Sequence, residues 1–341
     1  MSEPVRWGLL GTAGIARKSL IPALQASALN RIVAVGSRDL ARARAFAADI
    51  GADVRAFGSY ETMLDDPDID AVYNPLPNHL HVPLTLEAAR RGKHVLCEKP
   101  IGLNRADAAA QKSVPPGVLV MEAFMVRFHP QWLEVRRRVR AGDLGEVRAI
   151  QAFFSYYNDD QSNVRNQLDI GGGGIMDIGC YPMVIGRFLF DADPVRAVAL
   201  VDRDPSFGTD RLATGILDFG AGRQLGFTVS TQAAPHQRVS VVGTTGRLDV
   251  MIPFNAIPNA PSTVLLDRGE ALGDTAAERL TIEAADQYER QVDAFARAVR
   301  GDEPLPYGIE DALANMAVLD ALFDSEKTGA WANVDYSDVA N

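Results

Sequence analysis

Val5-Arg6-Trp7-Gly8-Leu9-Leu10 runs directly into Gly11-Thr12-Ala13-Gly14-Ile15-Ala16, and the fold class turns on that junction. The first six residues are a β-type apolar run and Ile15 to Ala26 is a helix-type stretch, so glycines stand where a strand becomes a helix. Working outward, Arg31 to Ser37 reads as a second strand and Leu40 to Ile50 as an amphipathic helix. The alternation continues through a weak strand at Val54 to Ala56, a short helix Tyr60 to Leu64, a strand Ala71 to Asn74, and a helix His79 to Arg91 capped by Asn78. His94 to Cys97 and Val118 to Met121 are further strands, with a helix Arg105 to Lys112 between them. Such alternation over short connections predicts an α/β domain, a doubly wound parallel sheet with helices on both faces.

After about residue 145 the rhythm changes. Val147 to Tyr157, Val195 to Val201, Leu212 to Phe219, Gln224 to Thr231, Arg238 to Val242 and Arg247 to Ile252 are β-type runs that lack the crossover helices of a parallel sheet. They predict an α+β second domain with an open, mainly antiparallel sheet. Gly220-Ala221-Gly222 and Gly243-Thr244-Thr245-Gly246 supply two hairpin turns. A helix from near Gly173 to about Phe190 interrupts the strands, and helices Ala285 to Arg300 and Ile309 to Lys327 follow them. With 341 residues the chain divides into two domains, read as 1–125 and 126–341, the C-terminal helix being a candidate to pack back on the first. In the second domain Leu225, Phe227 and Val229 share one strand face, while Ala152 to Tyr157 is aromatic on both faces. A second apolar face predicts a homodimer or homotetramer assembled through this sheet.

Hydrophobic residues make up 47% and charged residues 23%, which fits a globular chain with a full core. The net charge of -10, from 34 Lys and Arg against 44 Asp and Glu, offers no footprint for nucleic acid or an anionic membrane, so a small-molecule partner is expected. The two cysteines, Cys97 and Cys180, form no C-x-x-C pair and no disulfide scaffold, as in a reducing compartment. No basic leader precedes Val5 and no apolar run reaches the roughly 18 residues of a membrane span, so the expected location is the cytoplasm. The five histidines lack metal-ligand spacing, and no metal is expected.

The string Gly11, Thr12, Ala13, Gly14, Ile15 departs from the dinucleotide pattern G-x-G-x-x-G/A by placing Ala13 at the second glycine. Amide groups at a helix N-terminus suit a phosphate, and the same string also serves as a plain turn. The second strand ends Gly36-Ser37-Arg38-Asp39, with Arg42 four residues beyond Arg38. Ser37, Arg38 and Arg42 suit the 2'-phosphate of NADP, whereas Asp39 is suited to cap the next helix. Leu76-Pro77-Asn78-His79-Leu80-His81 and Cys97-Glu98-Lys99-Pro100 both follow predicted strands, at the carboxyl edge where open α/β sheets bind ligands. Asp177 and Tyr181 lie four apart on one predicted helix and share a face, either as catalytic groups or as a surface carboxylate and a core tyrosine.

The Glu98-Lys99-Pro100 string and the run Gly172-Gly173-Gly174-Ile175-Met176-Asp177-Ile178-Gly179-Cys180-Tyr181 together resemble the hallmarks of the glucose-fructose oxidoreductase, inositol 2-dehydrogenase and MocA family. The resemblance extends over essentially the whole chain. Glu122-Ala123-Phe124-Met125, Arg127-Phe128-His129-Pro130-Gln131, Asn163-Val164-Arg165 and a tyrosine at 181 look like the branch of dimeric dihydrodiol dehydrogenases and NADP-dependent D-xylose dehydrogenases. This implies a Rossmann domain, a bound NADP and hydride transfer to or from an aldose or related cyclic polyol. A nucleotide-sugar or keto-sugar reductase of the same family, and a catalytically silent NADP-binding sensor, are the alternatives. It further implies Lys99, Asp177 and Tyr181 as catalytic residues. Leu76, Pro77, Asn78, His81, Glu98 and Lys99 would join Gly11 to Ile15, Ser37, Arg38 and Arg42 around the cofactor, His81 near the nicotinamide. Arg127, Phe128, His129, Phe154 and Arg165 would meet substrate, His129 having packing as its other role. A free tyrosine titrates near pH ~10, so a tyrosine base needs a neighbouring cation such as Lys99.

Overall fold

The computed structural model describes residues 3–269 and 272–339. They form two compact units, Met1–Ala123 with Tyr288–Leu313, and Phe124–Gln287 with Ala314–Asn341. The division is therefore not a single cut in the sequence.

In the first unit the strands are β1 (Val5–Leu10), β2 (Asn30–Gly36), β3 (Arg55–Phe57), β4 (Ala71–Asn74), β5 (His94–Cys97) and β6 (Val120–Glu122). All pair in parallel, in the order β3-β2-β1-β4-β5-β6. The central strands β1 and β4 are buried almost throughout, as a sheet covered on both faces requires. Trp7 anchors the core: it is fully buried, donates from Nε1 to Asn30 Oδ1 at 2.8 Å and tilts against Phe295 at 5.5 Å. The strand order reverses between β1 and β4, and ligands of open α/β sheets bind beyond the carboxyl ends of strands at such a point. One helix departs from expectation. Asn78 lies inside a tight turn, Asn78–Leu80, and the regular helix runs only His81–Arg90. Pro83 has no N–H to bond back to residue 79, so the helix starts late enough to keep that proline in its first turn.

The second unit is built on β7 (Val147–Tyr157), β8 (Arg196–Arg203), β9 (Asp210–Asp218), β10 (Gln224–Ser230), β11 (Gln232–Gly243), β12 (Arg247–Val250), β13 (Ser262–Asp267), β14 (Glu278–Ile282) and β15 (Ala332–Asn333). They form one sheet in the order β14-β13-β12-β11-β7-β10-β9-β8-β15. Pairing is antiparallel except between β7 and β10, which run parallel. β13 and β14 extend the sheet beyond the expected strands, and Pro235 in β11 falls where the register with β7 shifts, a place that tolerates a missing N–H. Ile150, Ala152, Phe154, Leu225, Phe227 and Val229 are buried on one face, against which the helix Cys180–Phe190 packs. On the other face Leu200 is 79% exposed, with Leu212 and Ile216 also exposed. Among the described residues no helix is long and apolar enough to cross a membrane, and no group of three or more His, Cys, Asp or Glu could hold a metal ion.

Candidate active site

The turn after β1 is an open cradle. Gly11 has φ +81, and a Cβ there would stand 2.8 Å from Leu76 Cδ2. At Gly14 a Cβ would meet nothing within 4 Å, so the room expected of the second glycine is present one residue later, beyond Ala13. Thr12, Ala13 and Ile15 are half-buried around it. After β2, Asp39 accepts from the Ala41 N–H at 2.8 Å and the Arg42 N–H at 3.2 Å, so its carboxylate is spent as a helix cap. Ser37 is buried and accepts from the Asp39 N–H, while Arg38 and Arg42 are exposed. Both guanidiniums act on Tyr60: burial raises the pKa of its hydroxyl and the two cations oppose that rise. Helix amides beside an open glycine, followed by two cations and a hydroxyl, fit a dinucleotide bearing a 2'-phosphate.

Beyond β4 and β5 the chain is pinned around Lys99. The buried His81 ring places Nδ1 2.7 Å from Pro100 O and Nε2 2.7 Å from Leu76 O, tying the two strand-end turns together. Burial pushes its pKa down to about 4 while the two carbonyls oppose that fall, and a neutral ring can donate to only one of them. Tyr73 donates to Glu98 Oε1 at 2.6 Å, the Lys99 N–H donates to Glu98 Oε2 at 3.3 Å, and the Ile101 N–H donates to Glu122 Oε1 at 2.8 Å. The Lys99-Pro100 peptide is cis. Leu76, Pro77, Asn78, Glu98 and Lys99 are all half-buried. Cys97 ends β5 fully buried, and burial drives its thiol pKa well up, away from nucleophilic use.

In the second unit the run that holds Asp177 and Tyr181 opens with a widened turn, Ile175–Gly179, that continues into the helix Cys180–Phe190. Asp177 Oδ2 accepts from Tyr156 Oη at 2.5 Å and from Arg165 Nε at 3.0 Å. Arg165 is exposed, and the Asp177 charge raises its guanidinium against a partial loss of hydration, with Tyr156 and Tyr181 adding to the rise. The Tyr181 hydroxyl donates to Met125 Sδ at 3.7 Å, and its ring lies 5.6, 5.8 and 5.5 Å from those of Phe124, Phe154 and Phe254. Phe154 and Phe254 stack at 4.9 Å. Cys180 is buried, its Sγ 3.6 Å from Asp177 O.

Within this unit the structure brings together Asp177, Tyr181, Phe154 and Arg165 from the expected set. Arg127 is buried, its guanidinium 5.7 Å from the Phe124 ring centroid. His129 is fully buried and its Nδ1 caps the next helix by accepting from the Gln131 N–H at 3.1 Å; Phe128 is half-buried. Phe254 was not singled out by sequence, and Tyr156 only within the aromatic run Ala152 to Tyr157. Tyr156 carried a signal, since it stands two residues after Phe154 and therefore on the same strand face. Phe254 is held by contacts distant in sequence: Gln131 Nε2 and Trp132 Nε1 donate to Pro253 O, and Gln287 Nε2 to Phe254 O.

Residues 5–119 match the profile described as the oxidoreductase family, NAD-binding Rossmann fold, and residues 132–249 match the GFO/IDH/MocA C-terminal domain. The chain is 39% identical over 332 residues to D-xylose 1-dehydrogenase (NADP(+)) 2 of Haloferax volcanii, covering 96% of this chain and 99% of that protein. It is 34% identical over 336 residues to a dTDP-3,4-didehydro-2,6-dideoxy-alpha-D-glucose 3-reductase of Actinomadura kijaniata, covering 96% of each. A 3-ketoreductase from Actinomadura kijaniata, crystallised with NADP and TDP-benzene, matches with a TM-score of 0.87 at 32% identity, over 94% of this chain and 98% of that one. Variants of that ketoreductase in which a tyrosine is replaced by phenylalanine, or a lysine by alanine, have been crystallised with the same two ligands.

Proposed function

Because the chain belongs to the GFO/IDH/MocA oxidoreductase family and is an NADP-dependent oxidoreductase acting on the CH–OH groups of sugar- or polyol-type substrates, we propose that it reduces a keto sugar, with Tyr181 moving the proton. One observation carries the reading. The Tyr181 ring is set among three aromatic rings with its hydroxyl on Met125 Sδ, and on the preceding turn Asp177 is already held by Arg165 and Tyr156.

Bound NADPH would supply the hydride for reduction, and bound NADP would accept it in oxidation. The amides from Gly11 to Ile15 would hold its diphosphate, and Ser37, Arg38 and Arg42 its 2'-phosphate. The strand-end residues Leu76, Pro77, Asn78, His81, Glu98 and Lys99 would complete that site. In reduction Tyr181 gives its proton to the oxygen that becomes the hydroxyl, and in oxidation it takes that proton back. Arg165 favours the ionised tyrosine, and Lys99 is assigned the same task. Asp177 keeps Arg165 in place and accepts from a sugar hydroxyl. Phe154, stacked on Phe254, is assigned to the wall that meets the apolar face of a sugar ring, and Phe128, Arg127 and His129 are assigned to the same substrate side. The replaced lysine and tyrosine of the ketoreductase support Lys99 and Tyr181 as the pair to alter first.

The keto-sugar reading is supported by the match to the ketoreductase structures. A second reading, oxidation of a free aldose, is favoured by the identity to the xylose dehydrogenase. Absorbance at the reduced-nicotinamide band separates them, with NADPH plus a dTDP-linked keto sugar in one arm and NADP plus D-xylose in the other. Turnover in neither arm would overturn both. Tyr181→Phe is expected to keep NADP affinity and lose on the order of 10²-fold in turnover; near wild-type turnover across pH 6 to 10 would remove Tyr181 from the mechanism. The exposed sheet face around Leu200 and Ile216 is proposed as the contact of a homodimer or homotetramer, and a monomer mass by light scattering at micromolar concentration would reject that assembly.

A further inference from the structure

The helix that carries Asp177 and Tyr181 begins without a cap of its own. The first turn of a helix leaves backbone N–H groups with no partner along the chain, and Gly174, at the cap position, has no side chain to offer. The missing acceptor comes from the start of β9. Asp210, 1% exposed, accepts from the Ile175 N–H through Oδ2 at 2.5 Å. The glycines before the helix make its seat. A Cβ on Gly173 would fall 1.9 Å from Asp210 Oδ1, at φ +122, and one on Gly174 would lie 3.4 Å from Oδ2.

The same turn fixes a second chain segment. Gly172 and Gly173 donate their N–H groups to the carbonyls of Gln167 and Arg165, each at 2.9 Å. A Cβ on Gly172 would stand 2.6 and 2.7 Å from those of Arg165 and Gln167, which leaves no room for any other residue. One carboxylate and three glycines thus set the start of the Tyr181 helix and the backbone of the arginine that holds Asp177. Burial pushes the Asp210 carboxyl up to about 7; the Ile175 amide, its own amide and Arg203 oppose the rise, and Glu326 adds to it.

We propose that Asp210 is a positioning residue for the reaction: seated in the glycine turn, its carboxylate caps the Ile175–Phe190 helix from outside and so sets where Asp177 and Tyr181 stand. The proposal rests on the reading of Tyr181 as the proton-transfer group. Asp210→Ala and Asp210→Asn are compared with Tyr181→Phe in the full chain with NADP, by amide hydrogen exchange and by steady-state kinetics. Asp210→Ala is expected to lose protection at Ile175 to Asp177 by on the order of tenfold, and to lose roughly tenfold in kcat with NADP affinity unchanged. Asp210→Asn keeps an acceptor oxygen and should recover most of both. If Asp210→Ala keeps wild-type protection there, or loses protection equally in β7 and β10, the cap assignment is overturned. A Tyr181→Phe enzyme with full turnover removes the reading beneath the proposal. If instead Tyr181→Phe is slow and Asp210→Ala is as fast as wild type, only the Asp210 proposal fails.

Discussion

Two glycine turns, Gly11 to Gly14 in the first unit and Gly172 to Gly174 in the second, each lead into a helix with a widened early turn, Ala16–Leu20 and Ile175–Gly179. They look alike in sequence and differ in what surrounds the missing side chains. At Gly14 a Cβ would meet nothing within 4 Å, so the amide-rich end of its helix has room for a ligand. Around Gly173 the space is taken by Asp210, so the corresponding place is filled by the protein's own carboxylate. A run of glycines before a helix therefore marks a seat for negative charge without saying whose charge it is. The atoms within reach of the absent Cβ decide.

Substituting alanine in each turn should break the comparison most sharply. Gly173→Ala places a carbon inside the Asp210 carboxylate at a strained φ and is expected to cost about 4 to 5 kcal/mol of stability by chemical denaturation. Gly14→Ala meets nothing, should change stability by less than about 1 kcal/mol, and should instead weaken NADP binding. Equal stability losses would show that both turns are filled. The next effect is in pH. With the Asp210 carboxyl raised from 3.8 to about 7, the folded chain binds its proton more tightly than the unfolded chain does. Its contribution to stability is thus complete below about pH 3.8, is lost as pH rises to about 7, and is level above that, a change of up to about 4 kcal/mol. Asp210→Asn should remove that slope from a series of unfolding curves; an unchanged slope would place its source elsewhere. The smallest effect belongs to the open turn's neighbours. Arg38→Ala should weaken NADP about tenfold and leave NAD unchanged in a fluorescence titration, since one charge-assisted contact is lost.

What could be read beforehand was local or periodic. The strand and helix alternation that ends near residue 122, the Asp39 cap and the two hairpin turns each depend on neighbours in sequence, and each is present. Pro83 was equally local and should have moved the start of the His81–Arg90 helix away from Asn78. β13 and β14 escaped for different reasons: Val264 to Leu266 is a buried apolar run without alternation, and β14 is a short strand at the sheet's edge with only Leu280 and Ile282 as apolar positions. The capping by Asp210 was beyond reach for another reason. It joins residues 35 apart, and nothing in the glycine run names the carboxylate that fills it.

The two cysteines were set aside as chemistry, yet their placement gives each unit its own tamper seal. Cys97 closes β5 in the first unit and Cys180 lies in the Tyr181 helix of the second, both buried and neither disulfide-bonded. An alkylating reagent can reach either sulfur only when the unit around it opens, so the rate of modification at each cysteine reports the opening of that unit alone. Cysteine-resolved mass spectrometry during brief exposure to a thiol reagent, with and without NADP, would then show whether cofactor protects one unit or both.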